Sequence, residues 1–295
     1  MCLSAHLDTV PLAENVCLIE TDEFFMTNRR CALGADDKAA VAAFMKVAEE
    51  KRDHVIFLFT VGEEKALEGA RMMDRNLLKS FDIALIIASD ASGKCGDIIQ
   101  SAPGKTQIDI TFRGKSAHAG FEIEKGENAV LLLSRFVIRA ENGRQADGST
   151  INCAIIDGGK STNIVPECAH LALEIRSLDE NMLSFHEKRL NNLALEINTD
   201  SEVNVMHHYR PYFINNESKE IKFIRMANAG ANLIHTLGGS DVNIFRAMGY
   251  RAVNITTGYE NAHSENERMR KAELERLYEI TFLLADIFQS QQDFF

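Results

Sequence analysis

Short apolar runs, each followed within a few residues by an acidic side chain, recur in the first 90 residues of the chain. Residues 55–59 precede Glu63 and Glu64 in this way, and residues 83–88 precede Asp90. Stretches with helical spacing lie before the first of these runs, at residues 39–50, and between the two, at residues 66–78. This alternation predicts a parallel sheet with helices on its faces. Because ligands of open α/β sheets bind beyond the carboxyl ends of the strands, these acidic residues lie where chemistry is usually placed.

The acidic residues near the predicted strand ends allow two interpretations. One carboxylate of the Glu63–Glu64 pair can bind a metal ion while its neighbour handles protons, but acidic pairs are also common at solvated helix starts. Asp36, at the start of a predicted helix, can be a metal ligand or a helix cap. His6 and Asp8 alternate on the first predicted strand and would project to the same side. That spacing suits a metal ligand with an orienting carboxylate, or a surface histidine beside a turn.

The pattern of the chain changes at about residue 105. Predicted elements then follow the order strand, helix, strand, strand, helix, strand, which is typical of a ferredoxin-like α+β domain. We therefore predict a catalytic domain formed by residues 1–104 and 211–295, and an inserted domain formed by residues 105–210. One loop of the insert carries His118, which on its own could be an ordinary turn histidine.

Five nitrogen or oxygen donors stand at the ends of predicted elements: His6, Asp36, Glu64, Asp90 and His263. This mixture suits zinc, cobalt or manganese better than a structural site built from thiolates. The donors are too widely separated in sequence for a zinc finger, so they must converge by folding.

The composition narrows the classes of protein and partner. A formal net charge of -11 argues against a nucleic-acid surface, which needs a basic stripe. The six cysteines are scattered without a C-x-x-C pair, which favours reduced thiols. The chain has no apolar run of membrane-spanning length and no secretory signal at its start. We therefore expect a cytoplasmic protein without membrane or nucleic-acid partners.

Eight short motifs follow one another along nearly the whole chain: SAHLDTV (4–10), GADDK (34–38), TVGEE (60–64), SD (89–90), RGKSAHAG (113–120), NIVP (163–166), GGSD (238–241) and NAH (261–263). In this order the chain closely resembles the M20 family of metallopeptidases and deacylases, especially its peptidase T-like branch. The resemblance implies a zinc-exopeptidase-like α/β catalytic domain, with a mixed, mostly parallel sheet between helices. It also implies that the inserted ferredoxin-like α+β domain is a lid and dimerisation domain.

The resemblance further implies a site for two divalent ions, zinc with cobalt or manganese as alternatives. Asp36 would bridge the ions. One ion would be completed by His6 and Asp90, and the other by Glu64 and His263. Glu63 would be the general base that takes a proton from metal-bound water, and Asp8 would hold the His6 ring in its binding tautomer.

Residues of the lid are implied to contact the substrate. His118 would stabilise the tetrahedral oxyanion, in family members often across a homodimer. Asn163 and Arg176 match lid positions that bind polar groups of the substrate. The guanidinium group of Arg176 could bind a substrate carboxylate through two hydrogen bonds, or it could be a surface charge on a strand. Aspartate rather than glutamate at position 90 is more typical of the peptidases than of the deacetylases.

These features lead to one main functional hypothesis and two alternatives. The main hypothesis is an exopeptidase with two metal ions that cleaves short peptides as a di- or tripeptidase or an aminopeptidase. The nearest alternative is a deacylase of N-acyl amino acids, or a carboxypeptidase, on the same scaffold. Family members usually have several tens of residues before the His-x-Asp strand. A catalytically silent metal-binding protein is therefore the third reading, because a missing strand would expose a sheet edge.

Overall fold

The chain folds into two compact units. A computed structural model describes residues 1–50, 53–291 and 294–295. Unit 1 comprises Met1–Ala102 and Tyr212–Phe295, and unit 2 comprises Pro103–Pro211. Each unit has a sheet and a hydrophobic core of its own.

The described residues form strands and helices that are numbered here in chain order. The strands are β1 Cys2–His6, β2 Ile19–Glu20, β3 Phe24–Met26, β4 Ile56–Thr60, β5 Ile86–Ser89, β6 Ile98–Ala102, β7 Gly104–Arg113, β8 Gly143–Arg144, β9 Thr150–Gly158, β10 Cys168–Ser177, β11 Glu202–Tyr209, β12 Tyr212–Phe213, β13 Leu233–His235, β14 Ala252–Ile255, β15 Tyr259–Glu260 and β16 Arg268–Arg270. The helices are α1 Ala35–Glu49, α2 Glu68–Met72, α3 Arg75–Lys79, α4 Ala129–Arg139, α5 Glu180–Ile197, α6 Lys219–Ala227, α7 Asp241–Ala247 and α8 Lys271–Ser290. Short 3₁₀ turns lie at Pro11–Ala13 and Ile123–Lys125.

The main sheet of unit 1 has the strand order β12-β6-β14-β5-β1-β4, and β13 also pairs with β6. Strand β1 runs parallel to both β4 and β5, and β14 runs parallel to β5, whereas β6 is antiparallel to β14. Every residue of β1, β5 and β14 is buried, as expected for strands covered on both faces. This mixed, mostly parallel sheet confirms the predicted α/β fold class.

Helices of unit 1 pack on the sheet in two groups. Helix α1 packs against α8 and β1, and α6 also packs against α8. Helix α7 packs against β14, β5 and α2. A small antiparallel sheet, β15-β16-β3-β2, lies beside the start of α1, where Tyr259 and Met269 bury Ala35 and Ala39. Sequence analysis missed this sheet because each of its strands has only two or three residues.

Unit 2 has an antiparallel sheet with the order β11-β7-β10-β9-β8. Without the two-residue β8, strands and helices alternate as βαββαβ, which is the ferredoxin-like arrangement predicted from the sequence. One face is apolar because alternate residues of β7 and β10 pack against α4 and α5. Asn128 begins α4 by accepting hydrogen bonds from the backbone N–H groups of Val130 and Leu131.

The prediction of one continuous helix over 66–78 is wrong at the centre of that range. The structure has two short helices there, α2 and α3, because Met73 adopts an extended conformation at the end of α2. Asp74 then accepts a hydrogen bond from the backbone N–H of Asn76, at 2.8 Å. A short aspartate side chain that bonds the backbone two residues ahead competes with continuous helix, and a new helix begins after it.

Candidate metal centre

The predicted metal ligands of unit 1 lie at one edge of its main sheet. His6 is the last residue of β1, Glu64 follows β4, and Asp90 follows β5. These three strands are adjacent and parallel, so their carboxyl ends meet at the same edge. Asp36 reaches this edge from the first turn of α1, and His263 reaches it from the loop after β15.

The carboxylate of Asp36 lies between the two histidines. Its Oδ1 is 3.1 Å from Nε2 of His6, and its Oδ2 is 3.2 Å from Nε2 of His263. Nε2 of His6 is also 3.7 Å from Oδ1 of Asp90, and Nε2 of His263 is 2.7 Å from Oε1 of Glu64. Each oxygen of Asp36 thus belongs to one histidine–carboxylate group. The geometry is that of two adjoining histidine–carboxylate groups that share the carboxylate of Asp36.

The ring of His6 is held in an orientation that suits a metal ligand. Its Nδ1 lies 2.9 Å from the backbone carbonyl oxygen of Asp8. A carbonyl oxygen only accepts hydrogen bonds, so Nδ1 carries a proton. Nε2 is then the ring nitrogen that faces Asp36 and Asp90 and that a cation can bind.

Without a cation, the charges of this site are poorly balanced. Burial raises the pKa of Glu63 to about 10, and the neighbouring charge of Asp90 adds to the effect. Burial likewise raises the pKa of Asp90 to about 7. Burial alone would lower the pKa of His6, but its hydrogen bonds to Asp36 and Asp90 raise that pKa well above the usual range. The hydrogen bond to Asp36 raises the pKa of His263 to about 9. The carboxylates therefore hold protons or attract positive charge.

The donor set fits divalent cations. Among the described residues, candidate groups of three ligand atoms within 4.8 Å of one another include Asp36 with Glu64 and His263, and His6 with Asp37 and Asp90. A third group joins His6 to Glu63 and Glu64. Oε1 of Glu64 is buried, and Nε2 of His263 lies 2.7 Å from it. A carboxylate oxygen and an imidazole nitrogen are both atoms that bind zinc.

Asp8 contributes more to the site than the sequence indicated. Its carboxylate lies 3.5 Å from Nδ1 of His6, but its hydrogen bonds go to backbone N–H groups. It accepts from Glu63 at 3.1 Å and from Glu64 at 3.2 Å. Asp8 therefore fixes the backbone of the Glu63–Glu64 turn, while its own carbonyl orients the His6 ring.

Two buried residues that were not predicted from the sequence hold the backbone of other predicted ligands. Asn254 accepts from the backbone N–H of Asp90 at 2.9 Å and donates to its carbonyl at 2.7 Å. Glu267 accepts from the backbone N–H groups of Gly34 and Asp36. Each looks like an ordinary polar residue in sequence, although Glu267 stands four residues after His263. Contacts between distant segments identify them, and periodicity does not.

A cleft of about 1000 Å³ borders the ligand cluster within unit 1. Asp8 and Glu64 form part of its wall. Its other charged lining residues are two acids, Glu14 and Glu68, and one base, Lys65. Its apolar lining residues are Val10, Pro11, Val61, Met72 and Met73. The cleft has room for a short peptide beside the ligands and carries an excess of negative charge.

The predicted lid residues lie in unit 2 in two separate places. His118 and Asn163 are neighbours, because the backbone N–H of Ala119 donates to the carbonyl of Asn163 at 3.0 Å. The ring of exposed Phe121 packs against the ring of His118, with centroids 4.5 Å apart. Arg176 lies near the far end of β10, where its Nε is 2.8 Å from Oε1 of Glu174. The structure thus brings together His118 and Asn163 but not Arg176.

Comparison with known proteins identifies the family of the chain. The sequence profile of peptidase family M20/M25/M40 matches residues 2–286. The chain belongs to this family. It is therefore a hydrolase of amide bonds in a family of metallopeptidases, as the motifs predicted.

Several relatives share most of the chain. A protein of unknown function from Bacillus subtilis, YqjE, is 32% identical over 96% of this chain and 79% of its own length. A crystal structure of a tripeptidase from Staphylococcus aureus has 31% identity and a TM-score of 0.89, covering 98% of this chain and 81% of that one. The aminopeptidase PepT of Bacillus cereus has 27% identity and a TM-score of 0.84, covering 97% of this chain and 79% of that one.

More distant relatives include proteins with other names. A probable succinyl-diaminopimelate desuccinylase of Staphylococcus aureus is 24% identical over 76% of this chain and 65% of its own length.

No helix of the described residues is both long and apolar enough to cross a membrane.

Proposed function

We propose that the chain is an exopeptidase with two metal ions that hydrolyses short peptides, as a di- or tripeptidase or an aminopeptidase. The observation that carries this proposal is the position of Asp36 between two histidine–carboxylate groups, with Glu63 beside them. Similarity to a tripeptidase and to PepT over almost the whole chain favours peptides as substrates.

In this proposal Asp36 would contribute to both ion sites. His6 and Asp90 would hold one ion, and Glu64 and His263 would hold the other. When bound, two divalent ions, zinc with cobalt or manganese as alternatives, lower the pKa of a water molecule and polarise the scissile carbonyl. The oxygen and nitrogen donors suit all three metals.

Glu63 is the proposed general base. It accepts a proton from the attacking water and delivers it to the leaving amine. Its backbone is fixed by the carboxylate of Asp8, so its side chain is presented from a constrained turn. Burial and negative neighbours raise its pKa in the absence of metal, and positive charge in the site opposes this shift. His118 donates to the tetrahedral oxyanion, and Asn163 and Arg176 bind polar groups of the substrate.

The charge of the cleft favours peptides over N-acyl amino acids. A peptide with a free amino terminus carries an ammonium group, whereas an N-acyl amino acid carries only negative charge. Glu14 and Glu68 line the cleft beside Glu64 and would attract the ammonium group. Deacylation of N-acyl amino acids is the second candidate, supported by the similarity to the desuccinylase sequences.

A homodimer is the proposed assembly, because Arg176 and the start of the His118 loop lie toward opposite ends of β10. Arg176 is eight residues along β10 from Cys168, or about 26 Å at the rise of a strand. Cys168 pairs with Arg113 at the end of β7, where the His118 loop begins. An extended tripeptide spans only about 10 Å. We propose that His118 and Arg176 reach one substrate from two different chains.

Unit 2 also presents a surface that suits a second copy of the chain. Beyond Ile151, no described strand pairs with the outer edge of β9, whose Ile155 and Ile156 are exposed. Helix α4 exposes Leu131 and Ile138, the latter at 81%. An open strand edge beside an apolar helix can pair with its own copy about a two-fold axis.

Product analysis by mass spectrometry tests the proposed activity. Zinc- or cobalt-loaded protein is incubated with di- and tripeptides and with N-acyl amino acids, and Glu63→Gln protein is the control. We expect release of amino-terminal residues from the peptides that depends on Glu63. Cleavage of the acyl compounds alone would replace the peptidase proposal with the deacylase. If the protein binds metal but cleaves none of these compounds, the catalytically silent metal-binding protein is the interpretation that remains.

A further inference from the structure

The loop that presents Asp36 receives little support from its own helix. Asp36 and Asp37 have non-helical backbone angles inside the first turn of α1, and Gly34 before them has a φ of +72°. Backbone N–H groups at the start of a helix have no acceptor within the helix and need one from elsewhere. Besides the hydrogen bond from the backbone N–H of His6 to the carboxylate of Asp37, the segment therefore needs acceptors for its own N–H groups.

Glu267 supplies the missing acceptors. Its Oε2 accepts from the N–H of Gly34 at 2.8 Å, and its Oε1 accepts from the N–H of Asp36 at 3.0 Å. The side chain is 2% exposed, so water does not compete for these bonds. Hydrogen bonds from N–H groups to a buried carboxylate are stronger than those to a neutral acceptor. Both oxygens are used, and both hold the segment that carries Asp36.

Glu267 also belongs to the loop that carries His263. Its own N–H donates to the carbonyl of Ser264 at 3.0 Å, and β16 begins at the next residue. His263 in turn contacts Oδ2 of Asp36. One buried side chain therefore links the segment of the shared carboxylate to the segment of a terminal ligand. A shift of either segment changes the separation between the two donor atoms.

We propose that Glu267 is a positioning residue that sets the place of Asp36 between the two cations. The inference rests on the proposed two-ion site. It assigns a role to a residue that does not touch the ions or the substrate. Loss of Glu267 should weaken the ion that Asp36 shares with Glu64 and His263 more than the ion at His6 and Asp90. Glu267 lies in the same loop as His263, whereas the carbonyl oxygen of Asp8 orients the His6 ring.

Glu267→Gln is the direct test. The amide keeps the shape of the side chain, but its NH₂ group cannot accept from one of the two backbone N–H groups. Titration of metal-free protein with Co²⁺, followed by calorimetry and by the visible absorption of bound cobalt, gives the affinity of each ion. We expect a loss of about 10- to 100-fold in the affinity of one ion, the effect typical of groups that orient metal ligands.

Asp97→Asn is the matched control. Asp97 is a buried carboxylate of unit 1 that accepts from the backbone N–H of Asn232 at 2.9 Å, and it contacts none of the proposed ligands. Its variant should bind two cobalt ions as the natural chain does. If Glu267→Gln loses stability to unfolding as Asp97→Asn does but binds both ions with unchanged affinity, Glu267 has only a structural role and the inference is wrong.

A second variant covers failure of Glu267→Gln to fold. Glu267→Asp retains the charge but is one methylene shorter, so it cannot reach both N–H groups at their present distances. It should show the same selective loss in weaker form, and unchanged affinity for both ions would overturn the inference. Failure of the natural chain to bind two ions would instead contradict the proposed function, so the two failures can be told apart.

Discussion

At the scale of residues, the site depends on Asp36, because both histidines contact its carboxylate. The surrounding acids make this arrangement costly when no cation is present. Burial raises the pKa of Asp90 from 3.8 to about 7 and that of Glu63 from 4.5 to about 10. These shifts mean that the folded, metal-free chain binds more protons than the unfolded chain at neutral pH.

Stability of the metal-free protein should therefore fall as the pH rises. A group whose pKa is raised by folding stabilises the fold below its unfolded pKa, and this contribution is lost as pH rises through the folded pKa. For Asp90, Glu63 and His263 the combined window runs from about pH 4 to about pH 10. We expect the melting temperature in the presence of a chelator to fall between pH 5 and pH 9, and saturating Zn²⁺ to reduce the slope. A metal-free melting temperature that rises over this range would contradict the account.

Glu68 provides a residue-scale test of substrate choice. Its exposed carboxylate lines the cleft beside Glu64, where we place the ammonium group of a peptide. Glu68→Gln should raise KM for free tripeptides about two- to fivefold with little change in kcat. This change in KM corresponds to the interaction energy of an exposed ion pair. Steady-state kinetics provide the measurement. Glu275→Gln, which removes an exposed acid from α8, should leave KM unchanged; equal KM values for both variants would refute the placement.

At the scale of elements, the Glu63–Glu64 turn is packed directly against α2. A Cβ atom added at Gly69 would lie 1.8 Å from the carbonyl oxygen of Val61, two residues before Glu63. The backbone N–H groups of Lys65 and Glu68 both donate to the carbonyl of Gly62. These hydrogen bonds hold the turn against α2. Only glycine allows helix and turn to approach so closely.

Gly69→Ala should therefore damage the site as well as the fold. We expect a loss of about 1–3 kcal/mol in the free energy of unfolding, as for other overpacked positions, together with weaker metal binding. Denaturant unfolding and cobalt titration measure the two effects. Gly230→Ala is the control, since an added Cβ meets no atom within 4 Å there. If Gly69→Ala matches Gly230→Ala in both measurements, the close packing does not matter.

The elements that the sequence predicted are those with a strong period. The runs before Glu63 and Asp90 became β4 and β5, and the βαββαβ order of the insert appears in unit 2. The break within 66–78 was not predicted, because the hydrogen bond accepted by the Asp74 side chain outweighs the helical pattern of the sequence. The strands of the small sheet were not predicted, because they are too short to show a period. The roles of Glu267 and Asn254 were not predicted, because they come from contacts between residues more than 160 positions apart in the sequence.

At the scale of the whole molecule, the proposed homodimer makes a sharp kinetic prediction. Glu63→Gln and His118→Ala chains should each be nearly inactive, for different reasons. If His118 acts on the partner's site, mixing them under conditions of subunit exchange creates sites with both residues intact. Recovery should approach about a quarter of natural activity, because half of the dimers are mixed and each has one intact site.

The control for this complementation is a mixture of two Glu63→Gln preparations, which should stay inactive. Sedimentation analysis of each variant shows whether dimers form at the assay concentration. Mixed dimers without recovered activity would place His118 on its own chain's substrate, or away from the reaction. The separation of His118 and Arg176 would then need another explanation.

The central claim is that five converging ligands hold two ions and that Glu63 moves the proton. The most direct measurement is metal content and tripeptide turnover, determined on the same preparations of natural and Glu63→Gln protein. We predict two zinc ions per chain in both, with kcat lower by roughly 10²- to 10⁴-fold in the variant, the usual contribution of a general base. Equal turnover in the two proteins, with equal metal content, would contradict the account.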